Sequence, residues 1–233
     1  MKTKHIKIEY EPSHWKKVLN AIEEMRSKKN APVDIMGCHL CDDDLESEEN
    51  KRFQLLVALV LSSVTRDQIS YSATKSLHRK LAPLSVDSMI ETSSETVREC
   101  IKEVGFYNNK TKYLKEIAVI LKNKYNGDIP RTVEELMELP GVGPKMAYLC
   151  MRNAWNKIIG IGVDVHVHRI SNRLGWVKTK KPEQTRKELE GWLPREHWGN
   201  INKLFVGFGQ QICKARNPGC EECQARQWCA YYM

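Results

Sequence analysis

The sequence predicts an all-α protein, on three observations. Apolar residues recur at helical spacing through much of the chain, residues that favour helix starts stand ahead of those runs, and no alternating run flanked by hairpin turns argues for a strand. Trp15, Val18, Leu19, Ile22 and Met25, with lysines and glutamates between them, define an amphipathic helix within residues 13 to 28. From Asn30 to Asn50 the period is lost among Pro32, Gly37 and an acidic cluster (Asp42, Asp43, Asp44, Glu46, Glu48, Glu49), which reads as a linker or surface excursion. Phe53 to Leu61 is almost wholly apolar and, lacking hairpin neighbours, reads as a buried helix. Ile69, Ala73, Leu77 and Leu81 mark the next helix, which must stop before Pro83. Ser85 and Ser94 look like the caps of two short helices, the second presenting Val97, Ile101 and Val104 and ending at Gly105. Tyr113, Leu114, Ile117, Ile120, Leu121 and Tyr125 share one face of a helix over 109 to 125 that Gly127 closes. Thr132, with Glu135 three residues on, forms a capping box for a short helix reaching about Leu139, and Pro144 suits the first position of the one after it. Pro182 opens a further helix through Leu189, and Trp198, Ile201, Leu204, Phe205 and Phe208 mark the last.

The 233 residues, 41% of them apolar, suffice for one large or two modest domains. Thirty-seven basic against 29 acidic side chains leave a net charge of +8, which points to a polyanion or an acidic membrane face. The longest apolar run, Leu55 to Leu61, is too short to cross a bilayer. The first seven residues, Met1 to Lys7, show neither a signal core nor an Arg/Ser-rich amphipathic pattern, so an intracellular location is expected. In a reducing compartment the eight cysteines are thiols or metal ligands rather than disulfides.

Three constellations carry chemistry. In Leu139-Pro140-Gly141-Val142-Gly143-Pro144-Lys145-Met146-Ala147 two glycines form a turn that opens onto a helix N-terminus, where exposed N–H groups and the helix dipole favour an anion. Cys213, Cys220, Cys223 and Cys229 are spaced C-x6-C-x2-C-x5-C, a thiolate set for a metal or cluster. Only Cys220 and Cys223 form a C-x-x-C pair, and the wider flanking gaps favour a [4Fe–4S] cluster over zinc. Lys214, Arg216 and Arg226 interleave with these cysteines and could face phosphates, whereas the Cys38 to Cys41 pair is a lone half-site. In Gly162-Val163-Asp164-Val165-His166-Val167-His168-Arg169, Asp164 can cap the following helix, which keeps its carboxylate ionised. His166 and His168 point apart on a helix and read as packing or DNA-facing residues, not metal ligands.

The hairpin ending at Lys145, then Asp164, then the four cysteines, in that order, resemble the endonuclease III family of DNA glycosylases, and the flanking stretches its eukaryotic branch. The likeness runs over roughly residues 15 to 230. It implies two helical lobes with a DNA-binding cleft between them: a six-helix barrel with a helix-hairpin-helix over residues 47–157, and an iron–sulfur cluster lobe made from 1–46 and 158–233. It implies a monomeric bifunctional N-glycosylase and abasic-site lyase acting on duplex DNA that holds oxidised pyrimidines or abasic sites, in the nucleus and also the mitochondrion. Lys145 would be the nucleophile, Asp164 its assisting carboxylate, and the four cysteines the cluster ligands. Gly141, Val142 and Gly143 would hold the DNA backbone, and Phe106 and Val64 occupy the two positions that fill the gap left by a flipped base. Val64 stands where the family usually carries glutamine, and Val165 where threonine is usual. Two other functions fit parts of the pattern: an adenine-mismatch glycosylase of the same superfamily, which lacks a lysine at the hairpin position, and a non-catalytic iron–sulfur DNA-binding or redox-sensing module.

Overall fold

The structure, a computed structural model, describes residues 11–38 and 47–233. Cys41 and the acidic residues from Asp42 to Glu46 lie outside the described residues. The all-α expectation holds: among the described residues the chain forms twelve α-helices, a 3-10 turn at Arg226–Trp228 and no strand. The chain divides into two compact units, one from residues up to Asp34 together with Gly160–Met233, the other Ile35–Ile159.

Helix α1 (Trp15–Met25) buries Trp15, Val18, Leu19 and Ile22, the face that the sequence pattern marks. The short α2 (Pro32–Met36) is tied back to it, because Asp34 accepts the Ala31 N–H at 2.9 Å and pairs with the buried guanidinium of Arg26. Arg26 also donates to the Gln211 side chain at 2.5 Å.

The continuous unit is built around α3 (Glu48–Ser62). Ser47 caps it, Glu48 and Glu49 sit at the positive end of its dipole, and every residue from Phe53 to Leu61 is buried, as an all-round apolar helix must be. Around it lie α4 (Asp67–Leu81), α5 (Val86–Glu91), α6 (Ser94–Ile101), α7 (Tyr107–Tyr125), α8 (Val133–Met137) and α9 (Pro144–Trp155). Helix α3 packs on α4, α7 and α9, and α7 packs on α5 and α6. Helix α6 differs from the sequence expectation at both ends. The cap of α6 is Ser93, whose hydroxyl accepts the Thr96 N–H at 3.1 Å, and Ser94 is the first helical residue. That helix ends at Ile101, so Val104 reaches the core from the turn beyond it and Gly105 is not its terminator. Lys115 of α7 donates to the carbonyls of Met89, Ile90 and Thr92 at 2.6–2.7 Å, satisfying the end of α5 that no helical N–H can reach.

In the other unit α10 (Val165–Arg173) packs on α11 (Pro182–Trp192) and on α12 (Arg195–Gln211), which also carries α1. Trp176 lies edge-on to Trp192 at 5.3 Å between ring centres and against Phe205 at 5.4 Å, a rigid apolar centre for this unit. Among the described residues no helix is long and apolar enough to cross a membrane.

Candidate functional site

The hairpin turn lies between α8 and α9. Gly141 has φ +78°, a left-handed conformation that suits glycine, and a Cβ there would collide with the ring of Tyr113 on α7. Gly143 is different. Its φ of −101° and ψ of 176° are open to any residue and a Cβ would meet nothing, so its benefit is open access to the start of α9 rather than backbone freedom. Val142 is placed inward: its side chain is buried and its N–H donates to the Leu139 carbonyl at 3.1 Å, so it anchors the turn. Pro144 is the first residue of α9 and Lys145 the second, where the dipole of the helix is positive. Ala147 donates its N–H to the Gly143 carbonyl at 3.0 Å, so the hydrogen-bond ladder of α9 starts from the hairpin turn itself.

Two further turns in the same unit project apolar side chains into solvent. Val64, just after α3, is 79% exposed with φ +51°, and Phe106, just before α7, is 67% exposed with φ +58°. A left-handed backbone costs a non-glycine residue about 1–2 kcal/mol, and an exposed valine or phenylalanine forgoes burial as well. Such strain at two exposed apolar turns makes them candidates for a binding role. Beneath them lies a residue that the sequence pattern misses. Lys110 on α7 is only 3% exposed, and burial pushes its ammonium down to about 8. Nothing in an amphipathic helix pattern distinguishes it from a lysine on a solvated face.

Asp164 caps α10, accepting the N–H groups of His166 at 2.9 Å and Val167 at 2.8 Å. A carboxylate that takes two such bonds at a helix N-terminus is a fixed, oriented negative charge. Val165 beside it is exposed. His168 shares a hydrogen bond of 2.7 Å with Thr185, and His166 one of 3.2 Å with Arg169, so both rings are engaged within the protein.

Cys213, Cys220, Cys223 and Cys229 line one cavity, whose walls include Leu174, Phe208 and Ile212. Burial pushes the thiols of Cys223 and Cys229 up, and the other cysteines of the set push them further. Among the described residues no three His, Cys, Asp or Glu side chains are arranged to hold a single metal ion. Four cysteine sulfurs around one cavity form a donor set for a metal or a cluster. The loop is held by α10: Arg173 donates to the carbonyls of Lys214 at 2.7 Å and Ala215 at 2.9 Å and to the Cys213 sulfur at 3.4 Å, and Arg169 donates to the Cys213 carbonyl at 2.9 Å. Arg226 pairs with Glu221 at 2.8 Å and lies over the Tyr232 ring. Cys38 packs on the core of the other unit, away from this set in the chain, and its C-x-x-C partner Cys41 lies outside the described residues.

A left-handed glycine turn leading into a helix that carries a lysine in its first turn, in an all-helical chain, has the elements of a helix-hairpin-helix. Residues 57–195 match the HhH-GPD superfamily base excision DNA repair protein family. Endonuclease III-like protein 1 of Gallus gallus is 51% identical over 222 residues, 94% of this chain and 78% of that protein. An endonuclease III homolog of Schizosaccharomyces pombe is 50% identical over 213 residues, 91% of this chain and 60% of the relative. A solved structure of a trapped endonuclease III–DNA covalent intermediate is similar with a TM-score of 0.78 and 28% identity, covering 93% of this chain and 94% of that one. The chain belongs to the endonuclease III family, the DNA glycosylases and abasic-site lyases of base excision repair.

The hold of α10 on the cysteine loop is open to test. Arg173→Met removes two hydrogen bonds to carbonyls, each worth about 1.5–3 kcal/mol when the donor is charged and less for this partly exposed group. Amide exchange in residues 213–217 is expected to rise at least several-fold while that of α3 stays unchanged; protection as in the parent protein would show that the loop is held by other means.

Proposed function

We propose that this protein is a bifunctional glycosylase and lyase that excises oxidised pyrimidines from duplex DNA, with Lys145 as nucleophile and Asp164 as its assisting carboxylate. The observation that carries this reading is Lys145 in the first turn of α9, directly behind the Gly141 turn. The hairpin would seat the DNA backbone on the amides around Gly141 and Gly143, with Val142 anchoring the turn from within. As the base leaves, positive charge develops at C1′ and a fixed carboxylate favours it. An ordinary lysine is protonated at neutral pH, so the amine must first shed its proton. It then attacks C1′, the bond from C1′ to the base breaks, and opening of the sugar ring leaves a Schiff base. Loss of a C2′ proton sends its electron pair toward the iminium nitrogen, and the C3′–O bond breaks to release the 3′ phosphate. The related endonuclease III caught as a covalent DNA intermediate supports this chemistry. The lysine also favours it over the adenine-mismatch and purely DNA-binding alternatives. The Gallus gallus and Schizosaccharomyces pombe relatives are eukaryotic, and action on nuclear DNA is part of this reading, with the mitochondrion as a second site.

Borohydride reduction with abasic-site DNA is expected to trap a covalent complex, and Lys145→Ala to abolish it; equal trapping by the variant would sink the assignment. Asparagine caps helices as well as aspartate, so Asp164→Asn should fold normally yet release bases about 10²–10³-fold more slowly.

Cys213, Cys220, Cys223 and Cys229 would hold a [4Fe–4S] cluster, whose binding free energy orders the terminal loop. Anaerobically purified protein is expected to contain iron and acid-labile sulfide in equal amounts, and Cys220→Ala to lose both; stoichiometric zinc would overturn the ligand assignment.

Val64 and Phe106 would enter the gap opposite a flipped nucleotide, and neither side chain has a hydrogen-bonding atom with which to read the base stranded there. Reading a base by a good hydrogen-bonded pair is worth about 1–3 kcal/mol, so without one the excision rates opposite A, G, C and T should agree within about fivefold. Single-turnover rates on four duplexes that differ only at that position decide the point, and a preference above about thirtyfold would contradict it.

A further inference from the structure

Lys110 joins the two exposed turns through a network of two carbonyls and a hydroxyl, with no carboxylate among the described residues. Its ammonium donates to the Leu61 carbonyl at 2.9 Å, the Ser63 carbonyl at 2.5 Å and the Thr65 hydroxyl at 3.2 Å. The two carbonyls belong to the C-terminal end of α3, where helical carbonyls lack partners and the dipole attracts a cation. Thr65 completes the link: its hydroxyl donates to Ser63 at 3.0 Å and accepts the Gly105 N–H at 3.2 Å, one residue before Phe106. The turns are pressed so close that a Cβ on Gly105 would lie 2.6 Å from the Val64 carbonyl. On its own helix Lys110 is anchored to the same feature, because its N–H donates to the Phe106 carbonyl at 3.1 Å. A cavity bounded by Phe106, Lys110, Tyr113 and Gly141 adjoins the network, so the hairpin turn is its neighbour.

A buried ammonium with only neutral partners is an expensive way to fill space, and a methionine or leucine would pack there without the loss of hydration. What the apolar residues could not do is bind three oxygens from one turn while standing on the helix that begins at the other. We propose that Lys110 is a positioning residue for the repair reaction: it locks the turns of Val64 and Phe106 into one unit, so that both side chains enter the duplex together when a nucleotide is everted. This rests on the glycosylase reading above. It assigns Lys110 no contact with DNA.

The test uses the whole, cluster-loaded protein and Lys110→Met. Three quantities are measured: base excision from a duplex, elimination at an abasic site in single-stranded DNA where no gap needs filling, and the fluorescence of 2-aminopurine placed opposite the lesion. Duplex excision is expected to fall by about ten- to a hundredfold, as misplacement of a supporting group does, while single-strand elimination stays within about twofold of the parent. The 2-aminopurine signal that reports side-chain entry should shrink in parallel. In a Val64→Ala, Phe106→Ala background the further loss on adding Lys110→Met should be under about twofold, because residues that act through one another are not additive. An equal loss on single-stranded and duplex substrates, or an undiminished loss in the double-alanine background, overturns the proposal. Should Lys110→Met fail to fold, Thr65→Ala cuts the same bridge, and the same split between substrates is required of it. If the parent protein itself cleaves neither substrate, the glycosylase reading fails, and the loop-locking claim is then judged by the 2-aminopurine signal on bound duplex alone.

Discussion

Helix ends govern this structure more than any other constraint. Every α-helix leaves amides unpaired at its start and carbonyls unpaired at its finish, and a chain that is mostly helix must find partners for all of them. Serines and a threonine do so at the starts of α3, α5, α6 and α8, as Asp164 does at α10. Lysines do so at the finishes, with Lys115 on the last carbonyls of α5 and Lys110 on those of α3. The candidate functional groups sit at the same places. Lys145 is in the first turn of α9, Asp164 precedes α10, Phe106 precedes α7, Val64 follows α3 and Cys213 follows α12. Helix ends combine oriented dipoles with side chains that are free to face a ligand, and the interiors of helices offer neither.

This explains what could be read from the sequence. Groups that act within a few residues of themselves were legible: Asp164 as a cap, Pro144 as a first helical residue, the left-handed turn at Gly141 and the buried stretch from Phe53 to Leu61. Local rules failed by small margins where two candidates stood side by side, as with Ser93 and Ser94, because the choice depends on which hydroxyl lies over the Thr96 amide. They failed outright where the partner is distant. Lys110 binds residues 45 to 49 positions away, and Arg173 binds carbonyls 41 and 42 positions away, so each looks in sequence like an ordinary charge on a polar face. Gly143 and Val142 show a third kind of limit. A motif names the residues of a turn without saying which of them the backbone needs, which the core takes, and which remain open to a ligand.

Charge is used in two ways that the net value of +8 conceals. Part of the positive charge is spent inside the protein on neutral oxygens, by Lys110, Lys115, Arg169 and Arg173, where it fixes loops rather than attracting a polyanion. Arg226 is likewise committed to Glu221. A count of basic residues therefore overstates the charge available to DNA.

The division of the chain has a consequence for how the protein is made. Residues 35–159 are continuous, so that unit can close as soon as its last helix leaves the ribosome. The other unit cannot. Helix α1 is synthesised early, but its apolar face of Trp15, Val18, Leu19 and Ile22 belongs to a core completed by Phe205 and Phe208 of α12, nearly the whole chain later. At typical elongation speeds that interval is roughly ten to forty seconds. For that interval a tryptophan-bearing amphipathic helix lacks the rest of its core, which makes it a natural client for a chaperone.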